Sequence, residues 1–225
     1  MKGIVIIIII GIMIVGFIER IVLIKRFKQR LEYTLEYREK FIKFCNKTME
    51  TGKISDSNYN FLVKDVNKIQ MELGLDGIVS VYRDPLAGFQ MNNYPIFLNF
   101  FNELRIEMNA WGLFNDRLNL LIGWADEALL KHAGSLEEHV KVEKRSIKNP
   151  VYCFSKGIGF IVSLPIKLLE WCGILNQTYS NKVISSKLYI IIEKIATAIS
   201  LVGSIITVIM GWEWFVDFCR TIVEK

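Results

Sequence analysis

Apolar positions along this 225-residue chain follow three different patterns. At the two ends they are continuous. Residues 3–18 (GIVIIIIIGIMIVGFI) and 195–212 (IATAISLVGSIITVIMGW) carry no charge over sixteen and eighteen positions. At 1.5 Å per residue the first run covers roughly 24 Å, slightly short of a ~30 Å hydrocarbon layer. Lys2 and Arg20 flank it and can snorkel to close the gap. A cleaved signal peptide would want small residues after the apolar run. Phe17, Ile18 and Glu19 stand there instead, so an uncleaved anchor is expected.

In the middle of the chain the apolar positions become periodic. Phe27, Leu31, Thr34/Leu35, Phe41 and Cys45 predict a helix continuing out of the first anchor and ending at Gly52. Leu62, Val66, Ile69 and Leu73 predict a second helix, capped by Ser55 or Asp56 and stopped by Gly74. Residues 75–93 hold Gly77, Asp84-Pro85 and Gly88 around a short IVSVY run. One strand without a partner does not persist, so a long ordered loop is expected there. From Phe97 through Phe101, Leu104, Met108, Trp111, Leu118, Ile122, Ala125 and Leu129 the spacing is again helical, as one long helix or as two broken near Gly112. Gly134-Ser135 should end this stretch, and Ser135 with Glu138 has capping-box spacing for a further helix through Lys144. The middle therefore reads as a small antiparallel helical bundle with an aromatic core.

The third pattern is mixed. Residues 151–175 (VYCFSKGIGFIVSLPIKLLEWCGIL) are long enough to cross a bilayer, yet Lys156, Gly159, Ser163, Lys167 and Glu170 recur at steps of three and four, forming one helical stripe. Asn149-Pro150 is a helix start and Pro165 implies a bend. A spanning helix would place each charge in hydrocarbon at a cost of about a few kcal/mol. An in-plane helix leaves the stripe in water and buries its other faces among acyl chains. A spanning or re-entrant segment and a helix inside a protein core are the competing placements. The in-plane amphipathic helix is the expectation.

Charge distribution extends this picture. Residues 19–52 carry nine Lys/Arg against five Asp/Glu, and residues 141–194 carry nine against three, whereas residues 53–140 carry seven against twelve. Two basic collars thus flank an acidic middle. Nucleic acid would favour a continuous basic face and is not an expected partner. Basic collars beside apolar runs suit anionic lipid headgroups, at about 1 kcal/mol per residue near the surface. Lys141, Lys144, Arg145, Lys148, Lys156 and Lys167 form the candidate lipid-surface set.

Arg20, Lys25, Arg26, Lys28 and Arg30 follow the first anchor, and Lys182, Lys187 and Lys194 precede the second. The positive-inside rule then puts the centre in the cytoplasm and both termini outside. Trp212, Trp214 and Phe215 make an aromatic cluster suited to a headgroup boundary. Ala196, Ser200 and Ser204 recur every four residues as a smooth helix-packing face, toward the first anchor or another copy. Gly157 and Gly159 suit lipid or helix packing.

Candidate chemistry is sparse. Cys45, Cys153, Cys172 and Cys219 show no metal-ligand spacing, and reduced thiols are expected. His132 and His139, beside Asp126, Glu127, Glu137 and Glu138, read as a solvated acidic helix end rather than a metal site. No phosphate-binding or metalloprotease motif is present. No catalytic, cofactor-binding or metal-ligating residue is therefore expected.

The sequence expectation is an all-α membrane protein with N-terminal and C-terminal transmembrane helices, a cytoplasmic helical bundle and an in-plane amphipathic helix. Its segments are an anchor (1–24), a cytoplasmic helical domain (25–148), the surface helix (149–175), a connector (176–187), a second transmembrane helix (188–219) and a tail (220–225). The expected location is the cell (inner) membrane, and the expected partners are anionic lipids together with a protein or a second copy. The leading function is non-enzymatic, through protein and lipid interactions. A membrane-disrupting or pore-forming effector of a bacterial toxin or anti-phage system is the second class, and a membrane-bound enzyme without a recognisable motif the third.

Overall fold

The computed structural model describes residues 2–54, 57–83, 90–111 and 116–223, with side chains over 6–54, 57–81, 90–108 and 117–206. The described chain is mostly helical. It divides into two compact units, residues 26–141 and residues 1–25 with 142–225. The division falls seven residues before the end of the expected cytoplasmic segment, so the basic residues 142–148 group with the apolar helices. Helices α1 (Lys2–Thr51) and α5 (Asp116–Ser146) contribute residues to both units.

The unit 26–141 is organised by aromatic burial. On α1 the inward positions are Thr34, Tyr37, Phe41, Phe44, Cys45 and Thr48, while Leu35 is exposed. Helix α1 ends where expected: Gly52 adopts a φ of +66° and its N–H bonds back to the Thr48 carbonyl, a left-handed conformation that costs glycine least. The expected second helix is divided at Asp65 into α2 (Ser57–Lys64) and α3 (Val66–Leu73). The hydrogen-bond ladder nearly continues across the division, through Asp65 N–H to Phe61 and Ile69 N–H to Asp65. The Asp65 carboxylate accepts from the Tyr33 hydroxyl. Gly74, with φ +54°, ends α3 as expected. The Ser55 and Asp56 caps lie outside the described residues.

Residues 75–93 depart from the expected loop. After a 3₁₀ turn (Gly74–Gly77), strand β1 (Ile78–Arg83) pairs antiparallel with β2 (Gln90–Pro95), Val79 opposite Tyr94 and Val81 opposite Asn92. The IVSVY run does have a partner. That partner, QMNNYP, is polar, and only Tyr94 in it is buried. The Asp84-Pro85 and Gly88 turn lies outside the described residues.

Helix α4 (Ile96–Trp111) and α5 close the core. Two helices stand where one or two were possible, with Gly112 itself outside the described residues. Phe97, Phe100, Phe101 and Leu104 of α4 meet Leu118, Leu121, Ala125 and Leu129 of α5 and Tyr37, Phe41 and Phe44 of α1. Phe41 and Phe100 sit edge to face at 4.8 Å, and Tyr37 and Phe97 at 5.6 Å, a geometry the ring quadrupoles favour. Ion pairs brace the helices: Arg38 holds both oxygens of Asp126 at 2.6 and 3.0 Å, and Arg117 bridges Glu103 and Glu107.

The break expected at Gly134-Ser135 is absent. Ala133, Leu136 and Val140 remain buried on the same face as Ala125 and Leu129, and this packing outweighs the ~1 kcal/mol helix cost of one glycine.

In the unit 1–25 with 142–225, α6 (Pro150–Trp171), the short α7 (Gln177–Ile184) and α8 (Lys187–Val223) join the start of α1 and the end of α5. Three helices are long and apolar enough to cross a membrane: α1, α6 and α8. The start of α6 is built as the sequence predicts. The Asn149 side chain accepts from the N–H of Val151 and Tyr152, and Pro150 occupies the first turn. Ile7, Ile14 and Ile18 on α1, Ile161, Leu164 and Leu168 on α6, and Ile195, Ile199 and Val202 on α8 are exposed. The aromatic cluster Trp212, Trp214 and Phe215 lies beyond the described side chains.

The aromatic body makes a prediction about alkaline pH. Burial raises the phenols of Tyr33 and Tyr37, with Asp65 adding to both, and Tyr37 donates to the Leu62 carbonyl. The unfolded chain ionises these phenols near pH ~10 while the folded chain holds its protons. Stability contributed by the pair is thus complete below about pH 10 and falls as pH rises further. Tyrosinate absorbance should lag behind free tyrosine and then rise together with loss of helix, and Tyr37→Phe should shift that transition.

Candidate functional site

Two glycines set the geometry of the apolar unit. Gly16 of α1 lies directly against the Cys153 carbonyl and the Gly157 N–H, and Gly157 of α6 lies against the Ile12 carbonyl. A Cβ at either glycine would overlap main-chain atoms of the other helix. Backbones approach this closely only where side chains are missing, the same logic by which small residues join helices in membranes.

One turn further along α1, this contact delivers Glu19 and Arg20 to the polar stripe of α6. Arg20 reaches Glu19 at 3.2 Å and Glu143 at 3.6 Å, and Glu143 also accepts from the Tyr152 hydroxyl at 2.9 Å. Helix α8 packs on the same stripe. Gly159 leaves room for the Glu193 carboxylate, which a Cβ there would strike, and Ser163 lies beside Tyr189. As α6 advances from Gly159 to Ser163, its partners on α8 recede from Glu193 to Tyr189, so the two helices run antiparallel.

The result is a polar cavity of about 240 Å³. It is lined by Glu19 and Arg20 from α1, Lys156, Gly159, Ser163 and Lys167 from α6, and Tyr189 and Glu193 from α8, with Phe160 and Ile184. The stripe that the sequence suggested for water therefore faces other parts of the protein over Lys156–Ser163, while apolar side chains face outward. Lys156 Nζ sits 5.5 Å from the Tyr152 ring centre and Lys167 Nζ 4.4 Å from that of Phe160, favourable cation–π placements. Among the described residues, neither lysine nor Glu193 has an ion-pair partner. Glu19 Oε2 and Arg20 Nε are buried without a hydrogen-bond partner. A buried unpaired polar atom costs about 1–3 kcal/mol.

The other sequence-selected residues are distributed as follows. Lys141, Lys144, Arg145 and Lys148 are exposed at the end of α5 and in the turn after it, outside the cavity. Ala196, Ser200 and Ser204 are half-buried on α8, and Ser204 donates to the Ser200 carbonyl. A second hollow of about 300 Å³, almost wholly apolar, lies among Ile10, Met13, Phe17, Ile147, Pro150 and Cys153.

In the other unit, His132 is buried rather than solvated, with Nε2 2.9 Å from Glu72 and Nδ1 3.4 Å from Asp76. His139 stacks on Phe27 at 5.2 Å. No group of three metal-ligating side chains converges among the described residues.

Sequence reasoning missed Gly16, Glu19, Arg20, Tyr189 and Glu193 as site residues. One signal could have found the charges: Glu19-Arg20 and Glu193-Lys194 are the first charged pairs beyond the two long apolar runs. No protein-family model matches the chain, and neither does any curated protein or solved structure.

The glycine contact is testable. Gly157→Val should force α1 and α6 apart and lower stability by about 1–3 kcal/mol or more, as overpacking does, read as a drop in Tm of the detergent-solubilised protein. Gly134→Ala meets open space on an exposed helical surface and should raise stability by up to ~1 kcal/mol in the same assay.

Proposed function

We propose that this is a non-enzymatic integral protein of the cell (inner) membrane, working by binding anionic lipid at the inner leaflet and presenting its 26–141 body to a protein partner. The observation that carries the reading is the exposed set Lys141, Lys144, Arg145 and Lys148, which has no ion pair among the described residues and immediately precedes the apolar helix α6. Cations so placed gain about 1 kcal/mol each near an anionic surface.

In this reading both termini are outside and the body is cytoplasmic, because Arg20 to Arg30 follow the first apolar run. Helix α6 rests at the inner leaflet without crossing. Two features support that placement. Basic residues flank α6 on both sides, Lys141–Lys148 before it and Lys182, Lys187 and Lys194 after it. The cavity charges Glu19, Arg20 and Glu193 lie where the apolar runs 3–18 and 195–212 end, which is the level of lipid headgroups. The body offers exposed apolar groups for a partner at Met71, Leu75, Val81 and Met91.

Two measurements on the full chain test this. With Cys219→Ser, exposed Cys172 is the reporter thiol, since Cys45 and Cys153 are buried and burial raises the Cys45 thiol. An impermeant maleimide should label Cys172 only after permeabilisation, and labelling in intact cells would sink the proposed topology. In inside-out proteoliposomes, trypsin cleavage at Lys141–Lys148 should slow when anionic lipid is included and recover at about 1 M salt, where screening falls to ~3 Å. Cleavage indifferent to both would remove the lipid reading.

A further inference from the structure

The polar cavity has an unusual inventory for a purely structural feature. Two carboxylates and three cations line one small space. Only Glu19 and Arg20 are paired with each other, and each still keeps a buried atom without a partner. Lys156 and Lys167 rest on aromatic rings, and Glu193 has no ion pair among the described residues.

A simple anion would be drawn to Lys156, Lys167 and Arg20 but repelled by Glu193 and Glu19. A simple cation meets the converse. A ligand carrying both signs satisfies both sets. The volume of about 240 Å³ is below the ~300–1,000 Å³ that encloses a drug-sized molecule, so it admits a headgroup and not a whole lipid. Leu164, Leu168 and Trp171 continue the outer surface of α6 beside Lys167 as exposed apolar groups, a path for acyl chains.

We propose that this cavity binds the headgroup of an aminophospholipid, with the phosphodiester taken by Lys156, Lys167 and Arg20 Nε, and the primary ammonium by Glu193 and Glu19 Oε2. This inference rests on the inner-leaflet placement of the cavity. A primary ammonium donates hydrogen bonds, which carboxylates accept. A quaternary choline cannot donate them and instead wants an aromatic cage. Of the two lining rings, Phe160 is already covered by Lys167, and Tyr189 alone makes no cage. Gly159 is part of the site because its missing Cβ is what seats the Glu193 carboxylate.

The test uses the purified full-length chain in dodecyl maltoside. Short-chain phosphatidylethanolamine, phosphatidylcholine and phosphatidylglycerol, soluble phosphoethanolamine, and inorganic phosphate are titrated separately, with native mass spectrometry counting bound molecules and Tm read in parallel. Phosphatidylethanolamine should bind about tenfold more tightly than the other two lipids, the scale of one hydrogen bond to a charged group. Glu193→Gln should bring that preference to within about twofold while leaving the circular dichroism spectrum unchanged. Lys156→Gln with Lys167→Gln should weaken all three lipids.

Equal binding of phosphatidylethanolamine and phosphatidylglycerol, or a preference for the latter, overturns the proposal. Soluble phosphoethanolamine binding as tightly as the lipid overturns the lipid assignment, and so does inorganic phosphate competing equally. If Glu193→Gln fails to fold, Gly159→Ala, which displaces the carboxylate, and the wild-type lipid series still decide the matter. A chain that keeps salt-sensitive protection of residues 141–148 but shows no headgroup preference loses this inference alone, whereas loss of that protection removes the broader reading.

Discussion

The close approach of α1 and α6 at Gly16 and Gly157 is the contact on which the rest of the apolar unit depends. With side chains at those positions the two helices could meet only at their tips, and Glu19 and Arg20 would have no reason to face Lys156. Because the backbones touch, one turn of α1 carrying two charges is brought to the polar edge of α6, and α8 covers that edge at Gly159 and Ser163. The arrangement turns the Lys156–Ser163 part of the sequence stripe inward, while Lys167 stays exposed. Apolar side chains on the other faces of α1, α6 and α8, among them Ile14, Leu168 and Ile199, are left exposed. Such a surface is suited to hydrocarbon, where no hydrophobic force holds helices together and packing of small residues has to serve.

The body at 26–141 depends on a different principle. Its interior is a set of aromatic rings from α1, α4 and the short helices between, arranged edge to face, with ion pairs such as Arg38–Asp126 at its margins. A core of this kind has its own cohesion in water. The chain thus contains one unit stabilised by burying large rings and another whose contacts rely on the absence of side chains.

How much of this was legible in the sequence differs from element to element. Gly52, Gly74 and Asn149-Pro150 announced real boundaries because each acts through local backbone geometry. Gly134 misled because tertiary packing of Ala133, Leu136 and Val140 decides there and a local rule does not. The β1–β2 hairpin escaped notice because half of it, QMNNYP, buries a single residue and so has no alternation to read. The stripe of α6 was readable as a stripe, since periodicity is a property of one helix. What it faces depends on α1 and α8, more than a hundred and about thirty residues away, and no local pattern encodes that. The pairing of Gly16 with Gly157 was invisible for the same reason.

The corner between α5 and α6 has one more consequence. Asn149 is held in an extended conformation with φ −91° and ψ +114° by the proline that follows, and Pro150 has no N–H to offer a preceding turn. The ladder of α5 therefore closes here in short turns, Lys148 N–H to Arg145 and Asn149 N–H to Ser146, and α6 begins as a separate helix with its own cap. The change of chain direction is thus fixed by two adjacent residues, and exposed Lys144, Arg145 and Lys148 stand immediately ahead of it.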